Sequence, residues 1–94
     1  MRERALQEEA FAKRVGENLL RARQAAGLSQ DDLAYMAGMH RTEVSKIERG
    51  GCVPRSYTLW RLAECLEADY GELLVGLRWR APQPQRGSLE VEPA

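Results

Sequence analysis

Apolar residues recur at helical spacing along most of the chain and predict a series of short helices. The first clear apolar stripe is formed by Phe11, Val15, Leu19, Ala22 and Ala26. Gly27 then ends this helix. Residues 1–10 mix Arg, Glu, Gln and Ala without a firm apolar stripe, so they are interpreted as an N-terminal extension.

Two further helices separated by a tight bend follow the first one. Ser29 can cap the second helix, and Asp32, three residues later, can attempt the reciprocal bond of a capping box. Gly38 ends this helix, because glycine readily takes the left-handed conformation of a helix C-terminus. Only Met39 and His40 precede the next helical pattern, and so short a link predicts a helix-turn-helix.

The third helix has one apolar and one polar side. At about 100° per residue, Val44 and Ile47 fall together and define its buried side. The opposite side carries Arg41, Thr42, Ser45, Lys46 and Arg49. This polar side has two interpretations. It is either an ordinary solvated face, which is the usual reason for charge on a helix, or a surface that fits the DNA major groove. That groove is about 12 Å wide and admits one helix.

The C-terminal half predicts two more helices and a tail. Pro54 prevents the third helix from continuing, and a fourth is expected from about Ser56 to Glu67. Asp69 caps a short fifth helix that carries Leu73 and Leu74. Residues 80–94 hold three of the four prolines, so a flexible tail is expected there and residues 11–79 are expected to form the single domain.

Charge is distributed unevenly, although 14 basic and 14 acidic residues give a net charge of zero. Residues 33–61 carry five basic and two acidic residues, whereas residues 62–77 carry no basic residue. A basic region of this kind favours a phosphate-bearing partner more than the net charge suggests. With no apolar run of ~20 residues and no signal peptide at the start, the chain is expected to be cytoplasmic.

Candidate catalytic and metal-binding residues are few. Cys65 lies in a helical pattern and is expected in the core, whereas Cys52 in a loop is either an incidental free thiol or one activated by nearby arginines. His40 and the cysteines lack metal-ligand spacing, so no metal is expected. Without paired carboxylates or a glycine-rich phosphate loop, neither an enzyme nor a cofactor is predicted.

The chain also carries an ordered set of short motifs with consistent gaps: Gly27-Leu28-Ser29-Gln30, Leu33-Ala34, Ala37-Gly38, Val44-Ser45, Ile47-Glu48-Arg49-Gly50, Pro54, Thr58-Leu59, Leu62-Ala63, Leu66 and Leu73-Leu74. This set resembles the DNA-binding domain of phage repressor/Cro-type regulators, the xenobiotic-response-element family. The resemblance implies an all-α, compact five-helix, lambda-repressor-like fold. It also implies an ion pair between Arg23 and Glu48. The family often ends its fourth helix on glycine, where this chain has Glu67, and a left-handed conformation there would cost Glu67 about 1 kcal/mol.

The same resemblance implies a repressor-like transcriptional regulator whose third helix enters the major groove. The base contacts it implies are Arg41, Thr42 and Lys46, with Ser45 as a weaker candidate. The phosphate contacts it implies are Gln30, Arg49, Arg55 and Tyr57. Glu43 either accepts a hydrogen bond from cytosine or points away as a solvated residue, and the second interpretation is favoured.

The implied partner is double-stranded DNA with an inverted repeat, which a homodimer would bind. The apolar residues available for a dimer interface are Leu6, Phe11, Leu74, Leu77 and Trp79, which could equally close the core of the monomer. No small-molecule ligand is indicated. The alternative function is that of a protein-interaction adaptor or antitoxin-type partner on a helix-turn-helix scaffold.

Overall fold

A computed structural model describes residues 2–81 and 87–93, which form four α-helices, a 3₁₀ helix and a two-stranded sheet. The α-helices are α1 (Arg2–Ala25), α2 (Gln30–Ala37), α3 (Arg41–Glu48) and α4 (Ser56–Cys65). The 3₁₀ helix spans Tyr70–Leu74, and the strands are β1 (Leu77–Arg80) and β2 (Ser88–Val91).

The first helix is longer than its apolar stripe. It begins at Arg2 and continues without a break through the predicted extension. Residues 2–9 are exposed except for the half-buried Gln7, and full burial begins at Ala12. Residues 2–9 are strong helix formers, and an i,i+4 ion pair joins Arg4 and Glu8, with Nε and Oε2 3.6 Å apart. Both features favour helix in this segment, although it contributes nothing to the hydrophobic core.

The predicted capping box and glycine stop of α2 are confirmed. The Ser29 hydroxyl accepts from the Asp32 N–H at 2.9 Å, and the Asp32 carboxylate accepts from the Ser29 N–H at 3.1 Å. Hydrogen bonding from the backbone of Ser29, and to a smaller extent from its side chain, favours the ionised carboxylate and lowers the pKa of Asp32. Gly38 follows with a left-handed φ of 68°, and α3 begins three residues later.

A single core joins the helices. Its fully or nearly fully buried residues are Val15, Leu19, Leu33, Ala34, Ala37, Val44, Ile47, Leu59, Leu62, Ala63 and Leu73. All four α-helices and the 3₁₀ helix contribute to it. Burial of each large aliphatic side chain contributes about 1.5–3 kcal/mol, so α3 is held in place mainly by its apolar side.

Gly16 allows α1 to lie directly against the end of α3. A Cβ atom at this position would overlap the carbonyl oxygen of Ile47 and lie 2.7 Å from that of Glu48. Because both obstacles belong to the backbone of α3, they cannot be relieved by a change of rotamer. The absence of a side chain at Gly16 therefore sets how closely the two helices approach.

The predicted ion pair between Arg23 and Glu48 is present and buried, with side chains 12% and 5% exposed. Arg23 binds both carboxylate oxygens, Nε to Oε2 at 2.6 Å and Nη2 to Oε1 at 3.0 Å. Its Nη1 donates to the Leu28 carbonyl at 2.8 Å, and Gln30 Nε2 donates to Glu48 Oε1 at 2.8 Å. The hydrogen bond with Glu48 raises the pKa of Arg23, although burial acts in the opposite direction.

The predicted five-helix, all-α class is correct only in part. The fifth helix is a 3₁₀ helix, and residues 77–80 form a strand, paired antiparallel with β2 in the register Leu77 to Val91. Gly76, with a φ of 86°, separates the two elements. The sequence after it alternates between apolar and basic residues, a period of two that suits a strand.

The C-terminal tail predicted to be flexible from residue 80 contains an ordered strand. Besides the pairing of β2 with β1, the Glu92 N–H donates to the Gly76 carbonyl at 2.7 Å. The buried guanidinium of Arg14 on α1 donates through Nη2 to the Glu92 carbonyl. Residues 82–86 of the predicted tail lie outside the described residues.

The end of α4 differs slightly from its expected position. The helix ends at Cys65, and Glu67 follows in the left-handed region with a φ of 53°. For a residue with a Cβ, this conformation costs about 1–2 kcal/mol.

Gly16→Ala tests the close approach of α1 and α3. Alanine favours helix by about 1 kcal/mol, but overlap with two backbone carbonyls should outweigh this gain and lower the free energy of unfolding by about 1–3 kcal/mol. Urea denaturation would measure the change. Gly71→Ala is the matched control, since an added Cβ there meets nothing within 4 Å; equal stabilities of the two variants would contradict the prediction.

A double-mutant cycle tests the buried ion pair. Glu48→Leu leaves the Arg23 guanidinium without its partner and should cost about 3–5 kcal/mol of unfolding free energy. Combining it with Arg23→Met removes the stranded charge, so the double variant should be more stable than Glu48→Leu alone. Thermal and urea unfolding would give the coupling energy, and strictly additive losses would refute the prediction.

Candidate nucleic-acid interface

The polar side of α3 faces outward, as its apolar anchoring requires. Val44 is fully buried and Ile47 is 3% exposed. Of the four predicted base-contact residues, Arg41, Thr42 and Lys46 are exposed, and Ser45 is half-buried. The helix therefore exposes cationic and hydroxyl side chains to solvent, while its apolar side is packed in the core.

Arg41 at the start of α3 is not a free cation. Its Nε lies 3.5 Å from Oδ1 of Asp31, in the first turn of α2, and the two side chains are 64% and 75% exposed. Exposed pairs of this kind contribute only about 0–1 kcal/mol, so a ligand can separate them. The sequence carries no local signal for this role of Asp31, because the pairing depends on the angle between two helices.

Two predicted contact residues on α3 interact with each other. Arg49 Nη1 donates to Ser45 Oγ, one helical turn earlier. This bond uses one acceptor lone pair of the hydroxyl of Ser45, the weakest of the predicted base contacts, and leaves its O–H able to donate. It also holds the Arg49 side chain along the exposed side of the helix.

Glu43 takes a role that neither sequence-based interpretation named. Its Oε1 accepts a hydrogen bond from the backbone N–H of His40 at 3.2 Å. The carboxylate thus caps the start of α3, where negative charge is favourable for the helix dipole. A glutamate three residues after an N-cap position was the available signal in the sequence.

Gln30 is held at the start of α2 by the buried network. One hydrogen of its Nε2 amide is directed to Glu48 Oε1. A primary amide carries two such hydrogens, so a second donor remains for another partner. Gln30 is therefore positioned indirectly by Arg23, which fixes Glu48 through two hydrogen bonds.

The start of α4 carries an aromatic and cationic cluster. Arg55 is exposed at its N-cap, and no acidic residue lies in the first turn. The exposed ring of Tyr57 stacks on Trp60, with centroids 6.3 Å apart, and the Arg61 guanidinium lies 4.8 Å from the Tyr57 centroid. Arg61 also donates through Nη1 to the Ala37 carbonyl at 2.9 Å, which connects α4 to the end of α2. Trp60 and Arg61 belong to this cluster although no motif in the sequence predicts a role for them.

The described part of the chain offers little evidence for a metal site, a membrane-spanning helix or a disulfide. Residues 2–81 and 87–93 contain no group of three His, Cys, Asp or Glu side chains placed to hold a metal ion. Among those same residues, no helix combines the length and apolar character needed to span a membrane. Both cysteines are half-buried and unpaired by any disulfide.

Known proteins share this helical arrangement. A relative from Sinorhizobium fredii, described as an uncharacterized HTH-type transcriptional regulator, is 36% identical over 62 residues, which cover 66% of this chain and 80% of the relative. The restriction-modification controller protein C.AhdI from Aeromonas hydrophila superposes with a TM-score of 0.66 at 34% identity, covering 68% of this chain and 97% of that protein.

A transcriptional regulator from Vibrio cholerae superposes with a TM-score of 0.67 at 32% identity, covering 70% of this chain and 37% of that one. The family model described as helix-turn-helix, HTH_3, matches residues 19–73, from the second half of α1 to the 3₁₀ helix. That match spans more than half of the sequence. The chain therefore belongs to the HTH_3 helix-turn-helix family.

Proposed function

We propose that this protein is a transcriptional regulator that binds double-stranded DNA and reads its sequence by placing α3 in the major groove. The outward side of α3, which carries Arg41, Lys46 and Arg49 while Val44 and Ile47 anchor the helix, is the observation that carries the proposal. The similarity to named transcriptional regulators supports it. The protein would then act in the cytoplasm, at the chromosome.

Base recognition is assigned to the exposed residues of α3. Arg41 and Lys46 can donate to guanine O6 and N7, and the methyl group of Thr42 can contact that of thymine. Arg41 exchanges its carboxylate partner, Asp31, for a base at little cost, because the ion pair is exposed. Ser45 can donate its O–H to a base while its oxygen accepts from Arg49.

Phosphate contacts are assigned to the starts of α2 and α4 and to the end of α3. The residues are Gln30, Arg49, Arg55 and Tyr57. The start of α4 is the better anion site, because its first turn has no carboxylate, whereas α2 begins with Asp31 and Asp32. At α2 the amide of Gln30, with one donor left, is the group suited to phosphate.

One domain covers only half of a symmetric site. We therefore assign the functional form to a homodimer, with the two α3 helices reading half-sites about 34 Å apart in an inverted repeat. A repressor-like mode of action follows from occupancy of an operator. Among the relatives, C.AhdI is itself described as a restriction-modification controller.

Selection of bound duplexes from a random-sequence pool tests the function. The proposal expects enrichment of one motif, arranged as an inverted repeat, with binding that weakens steeply as salt increases. A protein-interaction adaptor on the same scaffold would enrich no motif. Absence of both enrichment and salt dependence would refute the regulator function.

Arg41→Ala tests base recognition. Loss of its contact should weaken binding to the selected site by about 1–3 kcal/mol and relax the preference at one base pair. Fluorescence anisotropy on the selected duplex and its single-base variants would measure both effects. Arg80→Ala, which removes an exposed arginine on β1, is the control; equal losses on selected and random DNA would show that Arg41 reads no base.

Arg55→Ala tests the phosphate site at the start of α4. It should weaken binding to all duplexes alike, and the slope of log affinity against log salt should become shallower by about one unit. Titrations of selected and random duplexes at several salt concentrations would provide the slopes. An unchanged slope would remove Arg55 from the phosphate contacts.

A further inference from the structure

The turn after α3 carries two adjacent glycines, Gly50 and Gly51, and each makes room for a lysine from a different helix. A Cβ atom at Gly50, which has a left-handed φ of 73°, would lie 2.9 Å from the Cα atom of Lys13 on α1. A Cβ atom at Gly51 would lie 3.0 Å from the Cγ atom of Lys46 on α3. The absence of side chains therefore lets α1 pack directly against this glycine turn and brings Lys13 and Lys46 to the same short stretch of backbone.

Lys13 lies on the outer side of α1, next to the side that packs against α3. At about 100° per residue it is about 60° from Gly16, which contacts the carbonyl groups that end α3, and about 160° from the buried Val15. The side chain of Lys13 is accordingly exposed, although its backbone contacts the glycine turn. Its ammonium group can therefore meet a ligand beside the end of α3.

The cations at the glycine turn are not neutralised by neighbouring carboxylates. Glu48 is already bound in the buried ion pair, and Glu17, one turn after Lys13 on α1, pairs with Arg14. Glu9, one turn before Lys13, is exposed and joins no ion pair within residues 2–81 and 87–93. In that same part of the chain, no ion pair involves the cations on or near the turn, which are Lys13, Lys46, Arg49 and Arg55.

The DNA backbone would pass the glycine turn in the proposed complex. A recognition helix contacts base edges mainly through its N-terminal residues. The eight residues of α3 extend over about 12 Å, and the major groove is about 12 Å wide. The far end of α3 and the glycine turn would thus come to the edge of the groove, where the phosphates lie. A cation beside the turn then meets a phosphate and not a base.

We propose that Lys13 is a phosphate contact that extends the DNA-binding surface from the helix-turn-helix to α1. The inference rests on the proposed function and adds to it a residue from outside the family match, which begins at residue 19. Lys13 binds the stretch of DNA backbone next to Arg49, because Gly50 follows Arg49 and packs against Lys13. Such a contact adds affinity for any duplex and fixes the end of α3 against the backbone, without reading sequence.

Salt titrations of Lys13→Gln test this contact. The slope of log affinity against log salt should become shallower by about one unit, on selected and random duplexes alike. As salt falls from about 200 to about 50 mM, wild-type affinity should gain about three- to fourfold over that of the variant. Lys13→Arg keeps the charge and should retain the wild-type slope.

Arg21→Gln is the matched control on the same helix. Arg21 donates to Asn18, on the side of α1 where the Asn18 amide donates to the Leu73 carbonyl, away from the glycine turn. Its loss removes an equal charge and should leave the slope unchanged. Equal changes in Arg21→Gln and Lys13→Gln would show a general effect of net charge and would overturn the inference.

Ethylation interference on the selected duplex would locate the contact, because ethylation removes the charge of a single phosphate. The phosphate bound by Lys13 should inhibit binding of the wild type when ethylated, but not binding of Lys13→Gln. Circular dichroism would verify that the variants are folded. Equal slopes for the wild type and Lys13→Gln, in a protein that still enriches a motif, would reject Lys13 and leave the proposed function intact. A wild type with neither motif nor salt dependence would refute both proposals.

Discussion

The buried ion pair between Arg23 and Glu48 is the contact on which the arrangement of the reading helix depends. It joins α1 to the last turn of α3, and through Gln30 it includes the start of α2. Such a pair adds little net stability, because burying two charges is costly, but it tolerates only a narrow range of geometries. Its main effect is therefore to fix how α2 and α3 are placed relative to α1. It also fixes the position of the Gln30 amide, whose second N–H remains available to donate.

The first helix supports both ends of the molecule. Gly16 brings it against the carbonyl groups that end α3, and Arg14, two residues earlier, holds the C-terminal hairpin through the Glu92 carbonyl. Neighbouring residues of one helix thus position both the DNA-reading element and the C-terminal hairpin.

Local chemistry made part of this structure predictable. The Ser29 cap, the Gly38 stop and the polar side of α3 follow from residues within one or two turns of each other, and the motif order supplied the Arg23–Glu48 pair. The hairpin was missed because residues 77–80 are a short strand whose partner follows a proline-rich stretch, so composition outweighed a weak period of two. The pairing of Asp31 with Arg41 was missed because it joins two helices across a bend.

The carboxylates around α3 explain how a chain of zero net charge can serve a DNA-binding role. Asp31 neutralises Arg41 in the free protein, and Glu43 is engaged at the start of its own helix. Long-range attraction to any duplex is therefore weak, since non-specific affinity arises mainly from cations that release counterions. In the proposed complex, discrimination would rely on contacts that form only when a matching base replaces Asp31 at Arg41. A chain with less electrostatic attraction loses affinity for random DNA first, which raises the ratio of specific to non-specific binding.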